Sequence, residues 1–132
     1  MPKKDKVEVH WLNKPQDHDY PSAASYLSLI YDEKTSAAFV TKLKDAPLVE
    51  FKAKDIFRAS NTSLLGVSNL HVRRDIKKIK SGELLSPLLL VRDQTNSMLI
   101  IADGYHRLCA TYRFDEDAMI PCKIDLFNTY DA

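Results

Sequence analysis

The chain has 132 residues, 45% of them hydrophobic and 28% charged, with a formal net charge of +1. At that length one domain with a core of its own is expected, and the near-neutral balance argues against nucleic acid held by phosphate neutralisation. No apolar run approaches the roughly 18 residues needed to cross a bilayer, so no membrane partner is expected.

Basic residues Lys3, Lys4 and Lys6 open the chain, and residues 7–13 alternate as a short edge strand. No apolar leader follows the charged start, so a cytoplasmic location is expected. Residues 14–21 are loop chemistry. Ser22 is a candidate cap for a helix through Ala24, Tyr26, Leu27 and Ile30. A second helical pattern runs through Ala37, Val40 and Leu43 and closes near Pro47. Residues 1–46 therefore read as a mostly helical N-terminal extension whose apolar side chains dock on a core formed by residues 47–132.

In that core, residues 48–53 alternate as a strand, 53–60 form a short helix or turn, and 61–69 are irregular. Val72, Ile76 and Ile79 fall at helical spacing, with Arg73, Arg74, Lys77 and Lys78 on a solvated face and Gly82 as the stop. Residues 86–93 read as a buried strand with Pro87 at its entrance, and residues 98–103 as its partner. A helix opened by Asp103 puts Tyr105, Leu108, Cys109 and Tyr112 on one face, and residues 119–127 form the last strand. The expected class is α/β (α+β): a small mixed sheet of about four or five strands with helices around it. Cys109 and Cys122 have no ligand or redox spacing and read as small core residues in a reducing compartment. His10, His18 and His71 read as surface residues, and Trp11 as core or lid.

The chemistry concentrates at the strand–helix junction, "LIIADGYHRLCATY", from Leu99 to Tyr112. Asp103 is a good N-cap, and Gly104 lets a ligand approach the backbone. The first amides of a helix are unpaired and, with the helix dipole, attract an anion. Arg107 adds a charged fork suited to phosphate oxygens, and His106 a donor that titrates near neutrality. An acid beside such a cradle binds a metal ion, caps the helix or acts as a base. The plainer reading of the same residues is a cap, a turn and two exposed first-turn side chains.

Leu85-Ser86-Pro87, Gly104-x-x-Arg107-x-x-Ala110 and Ile120-Pro121 resemble the core pattern of the ParB/sulfiredoxin-like superfamily. The resemblance is good from Gly82 to Lys123 and looser from Leu48 to Phe127. It implies that Gly104, Tyr105, His106 and Arg107, with Ser86 and Pro87, hold a nucleotide or phosphate. Sulfiredoxins have a cysteine after the glycine, where this chain has Tyr105, so sulfinic acid reduction is not implied. Chromosome-partitioning ParB proteins bind CTP and carry a helix-turn-helix and a dimerisation segment downstream of this core, so a complete partitioning protein is not expected. The free-serine kinases of this fold are most similar in motif: their Asp-Gly-x-His-Arg is here Asp103, Gly104, His106 and Arg107. That likeness implies Asp103 and His106 as catalytic residues, Asp103 also toward Mg²⁺ arriving with the nucleotide, and a glutamate as base. Glu50 is the first candidate for the base and Glu83 the second.

Three function classes follow. The first is a nucleotide-dependent enzyme, either a nucleotide hydrolase or a small-molecule kinase with a small-molecule acceptor. The second is a non-catalytic nucleotide-sensing or protein-partner-binding regulator. The third, a DNA-binding or nuclease-like role, is disfavoured by the near-neutral charge.

Overall fold

A computed structural model describes residues 7–126. The basic cluster at Lys3, Lys4 and Lys6 and the end of the expected last strand at Phe127 lie outside the described residues. In chain order the elements are β1 (His10–Trp11), α1 (Asp19–Leu27), α2 (Glu33–Asp45), β2 (Val49–Lys52), α3 (Ala53–Ser60) and α4 (Leu70–Lys80). There follow β3 (Leu84–Leu85), β4 (Leu88–Asp93), β5 (Met98–Asp103), α5 (Tyr105–Phe114) and β6 (Met119–Leu126). The described residues thus form a mixed α/β structure with five helices and two small sheets. Among them no helix is long and apolar enough to cross a membrane.

The larger sheet has the order β2-β6-β4-β5. Antiparallel pairs join β2 to β6 and β4 to β5, while β4 and β6 run parallel. Strand β4 is buried on both faces, as a leucine- and valine-rich run in a central strand should be. Leu89 and Val91 face α1 and α2, where they pack with Leu27, Phe39 and Leu43. Leu88 and Leu90 face the other way, toward Ile56 and Leu108 of α3 and α5. Beyond α5 lies a third apolar cluster, in which Val72, Ile76 and Ile79 of α4 meet Leu85, Cys109 and Ala110. The smaller sheet is the parallel pair β1–β3.

The N-terminal helices therefore form one wall of the sheet. Their limits differ from the sequence expectation. Helix α1 begins at Asp19 with His18 at the N-cap position, and the Ser22 hydroxyl donates back to the His18 carbonyl at 3.1 Å instead of capping. It ends at Leu27, so Ile30 lies in the corner between helices, exposed together with Tyr26 and Leu29. Asp32 caps α2, accepting the Thr35 N–H at 2.7 Å. Tyr31 pins that corner to the sheet through its hydroxyl, which donates to the Asp93 carboxylate at 3.0 Å.

At the far end of β5 the ladder shifts between Leu89 and Leu90: Leu89 pairs with Asp103, but Leu90 with Ile101. Ala102 is the extra residue. Such a bulge bends the strand and re-aims its neighbours, and it sits directly before the strand–helix junction.

Candidate functional site

Helix α4 lies against α5 through Val72, Ile76 and Ile79. Beside that apolar stripe, His71, Arg74, Asp75 and Lys78 follow at i, i+3, i+4 and i+7, one face of a helix. These four side chains and the junction residues Asp103, Gly104, His106 and Arg107 line a cavity of about 270 Å³. The structure thus brings Asp103, Gly104, His106 and Arg107 together, as expected from their spacing. It adds four residues of α4: Arg74 and Lys78 are exposed, in keeping with a solvated face, and Arg74 also meets the other sequence reading, in which it approaches a phosphate if this helix lies beside the junction.

Gly104 begins α5 with φ 104°, and the first turn closes when the Leu108 N–H meets the Gly104 carbonyl at 2.9 Å. A β-carbon at Gly104 would lie 2.8 Å from Leu88 Cγ and 2.9 Å from Arg107 Nη2. The space a side chain would take is filled from inside the protein, while Gly104 itself lines the cavity. Asp103 is the last residue of β5 and does not cap the helix; the N-cap position is Gly104, with no side-chain hydrogen bond. The Asp103 carboxylate instead accepts from Arg107 Nη2 at 3.0 Å, because the guanidinium one turn along reaches back to it.

Arg107 is engaged further. Its Nε donates to the Ser86 carbonyl at 2.8 Å and its Nη2 to the Pro87 carbonyl at 3.3 Å. Both Asp103 and Arg107 side chains are only 17% exposed. Arg107 therefore clamps the entrance of β4 to the end of β5, leaving Nη1 outside these bonds. Ser86 and Pro87 stand next to it as its acceptors; both are buried, and neither lines the cavity.

Behind the clamp lies a polar cluster that sequence reasoning missed. The Ser86 hydroxyl donates to the carboxylate of Asp19, a residue 3% exposed. The Gln16 N–H reaches the same carboxylate at 3.0 Å, and His18 Nε2 stands 3.5 Å from its other oxygen. Burial pushes the Asp103 carboxyl above its ordinary value; Arg107 opposes this, and neighbouring Asp19 adds to it.

His106 points into the cavity with its ring centroid 4.8 Å from that of His71. Burial, then His71, holds its pKa below the usual histidine value, against the pull of Asp75. Burial likewise raises the Asp75 carboxyl, against the pull of Lys78, Arg107, His106 and His71. Tyr105 turns away: its hydroxyl donates to the Ser63 carbonyl and ties down the loop between α3 and α4. Glu50 is not brought to the cavity. It is exposed on β2 opposite Pro121, three strand positions from β5, roughly 14 Å at the usual strand spacing. Glu83, exposed after α4, does not line it either.

Among the described residues no group of three or more His, Cys, Asp or Glu side chains is placed to hold a metal ion. Both cysteines are buried and free; burial raises the Cys109 thiol, and burial with Glu50 nearby pushes Cys122 up to about 12. Neither is a thiolate nucleophile at neutral pH. A second cavity, of about 160 Å³ between α3 and the sheet, is walled by Phe51, Ile56, Leu90, Leu99 and Ile124. It has one acid and one base, Asp55 and Arg92, and lacks the cationic cluster of the first. The α4 stripe was readable: its polar positions fall one residue from the apolar ones at the same spacing. What the sequence did not carry was the direction of that stripe, which depends on α4 docking beside α5. No protein-family model matches the chain, and no curated protein or solved structure matches it.

Proposed function

We propose that the chain is a nucleotide- or phosphate-binding domain of ParB/sulfiredoxin-like type, with its anionic ligand in the cavity between α4 and α5. The observation that carries this reading is the lining: Arg74, Lys78, Arg107, His71 and His106 converge where the first amides of α5 open the helix. Charged donors at a helix N-terminus bind phosphate by charge-assisted hydrogen bonds. Among the described residues no hydrogen bond or ion pair holds the Arg74 guanidinium or the Lys78 ammonium, whereas Arg107 is bound to Ser86, Pro87 and Asp103 and contributes its field and one amino group. Mg²⁺ would arrive with a nucleotide, since that ion needs only one or two protein carboxylates beside phosphate oxygens. Asp103 is the cavity carboxylate placed at the helix start for that part, and it is already shared with Arg107.

Titration calorimetry with ATP, ADP, CTP and GTP, each with and without Mg²⁺, tests the reading. Losing one charge-assisted contact of about 1.5–3 kcal/mol weakens binding roughly tenfold to hundredfold. Lys78→Ala and Arg74→Ala should each show that loss. Binding of none of the four, or unchanged affinity in both variants, overturns the proposal.

With an acceptor, such a site serves as a small-molecule kinase or nucleotide hydrolase, His106 stabilising the transferred phosphoryl group. One observation favours the second reading, a non-catalytic nucleotide sensor or partner-binding regulator: Asp103, the expected catalytic acid, is held by Arg107. Asp103→Asn separates them. A steep fall in turnover with binding retained marks an enzyme; binding without turnover across acceptors, water included, marks a regulator.

A further inference from the structure

The cationic lining explains a phosphate, but it does not explain Asp75. This carboxylate sits on the same face of α4 as Arg74 and Lys78, in the wall of the same cavity. It is half-buried, and among the described residues nothing donates a hydrogen bond to it. A carboxylate in a phosphate site repels the ligand, and its burial is costly without a donor. An ionised carboxylate only accepts hydrogen bonds, so the missing partner is a donor. Arg74, Lys78 and the α5 amides suit the phosphate; a hydroxyl on the skeleton that carries the phosphate suits Asp75. Acidic residues read ribose hydroxyls in this way in dinucleotide sites. The cavity, about 270 Å³, is just below the usual range for small-molecule sites, about 300–1,000 Å³, which favours a small ligand or one end of a larger one.

Resting on the phosphate-binding reading, we propose that Asp75 is the specificity residue of this cavity: it accepts a hydrogen bond from a hydroxyl on the ligand's skeleton. The site then selects a phosphorylated polyhydroxy compound over a bare phosphate. Two sources share that chemistry, the ribose phosphate of a nucleotide and a free sugar phosphate.

The test is calorimetry on the full chain with methyl phosphate, ribose 5-phosphate and AMP at fixed ionic strength. The wild type should bind ribose 5-phosphate about tenfold or more tighter than methyl phosphate, the size of one hydrogen bond to a charged group. Asp75→Asn and Asp75→Ala should reduce that ratio to about threefold or less, with methyl phosphate bound as well or better. Circular dichroism confirms that each variant is folded. AMP stronger than ribose 5-phosphate supports the proposal with a nucleotide as source; AMP weaker or equal supports it with a sugar phosphate. Equal binding of methyl phosphate and ribose 5-phosphate by the wild type, or an unchanged ratio in both variants, overturns the role of Asp75 and leaves the phosphate site standing. Failure of all three probes on the wild type overturns the phosphate site as well.

Discussion

At Gly104 the backbone lies at φ 104°, with Leu88 and Arg107 where a β-carbon would go. Gly104→Ala adds about 1–2 kcal/mol of left-handed strain to about 1–3 kcal/mol of crowding, a loss that urea denaturation should show. Arg107→Lys keeps the charge but cannot reproduce the fork that reaches Ser86, Pro87 and Asp103 together. It should cost about 1.5–3 kcal/mol of stability in thermal melts, and weaken methyl phosphate less than Lys78→Ala does. Asp75 behaves in the opposite sense. Burial raises its folded pKa, so the folded chain holds that proton more tightly than the unfolded chain. Its favourable share is complete below the ordinary carboxylate range and is lost as pH rises through the raised value. Asp75→Asn should therefore melt higher than the wild type at pH 7, and the gap should close below about pH 4. A variant that melts lower at pH 7 contradicts the burial argument.

Helix α4 joins the site to its support. Asn69 caps it, its side chain accepting the N–H groups of His71 and Val72 at 3.0 and 3.1 Å. Asn69→Ala should cost about 1 kcal/mol and speed hydrogen exchange at those two amides, loosening the turn that carries His71. Elements of this kind were legible in sequence because one spacing decides them: Val72, Ile76 and Ile79 for α4, the unbroken apolar run for β4. Helix α1 was less so. Its start at Asp19 depends on Ser86, 67 residues away, whose hydroxyl holds the Asp19 carboxylate. No local pattern reports such a partner, and on propensity Ser22 caps as well as Asp19 does. Asp103 was misread as a cap for a related reason, since the stronger claim on its carboxylate comes from Arg107. The cavity was half legible. Its junction residues adjoin in sequence, whereas Asp75 and Lys78 come from a helix whose neighbour only the tertiary fold determines.

For the molecule as a whole, the β2-β6-β4-β5 sheet is buried from two sides, by α1 and α2 on one face and α3 and α5 on the other. Leu43 and Leu108, one on each side, are both fully buried. Leu43→Ala and Leu108→Ala should each cost about 2–5 kcal/mol. Each should also shift the urea transition of Trp11 fluorescence together with that of far-ultraviolet circular dichroism, because Trp11 packs on the α5 side. A Leu43→Ala variant whose tryptophan transition stays in place would make α1 and α2 a separate folding unit. The strand order has a consequence for synthesis. Strand β6 lies between β2 and β4 and pairs with both, yet it comes last among the described strands. While the ribosome is still making the earlier elements, β2 has no sheet partner and β4 has only its hairpin with β5. The nascent protein must therefore wait for its final strand before the two halves of the sheet can close. Until then the apolar side chains destined for both faces depend on chaperones, or on speed, to stay out of aggregates.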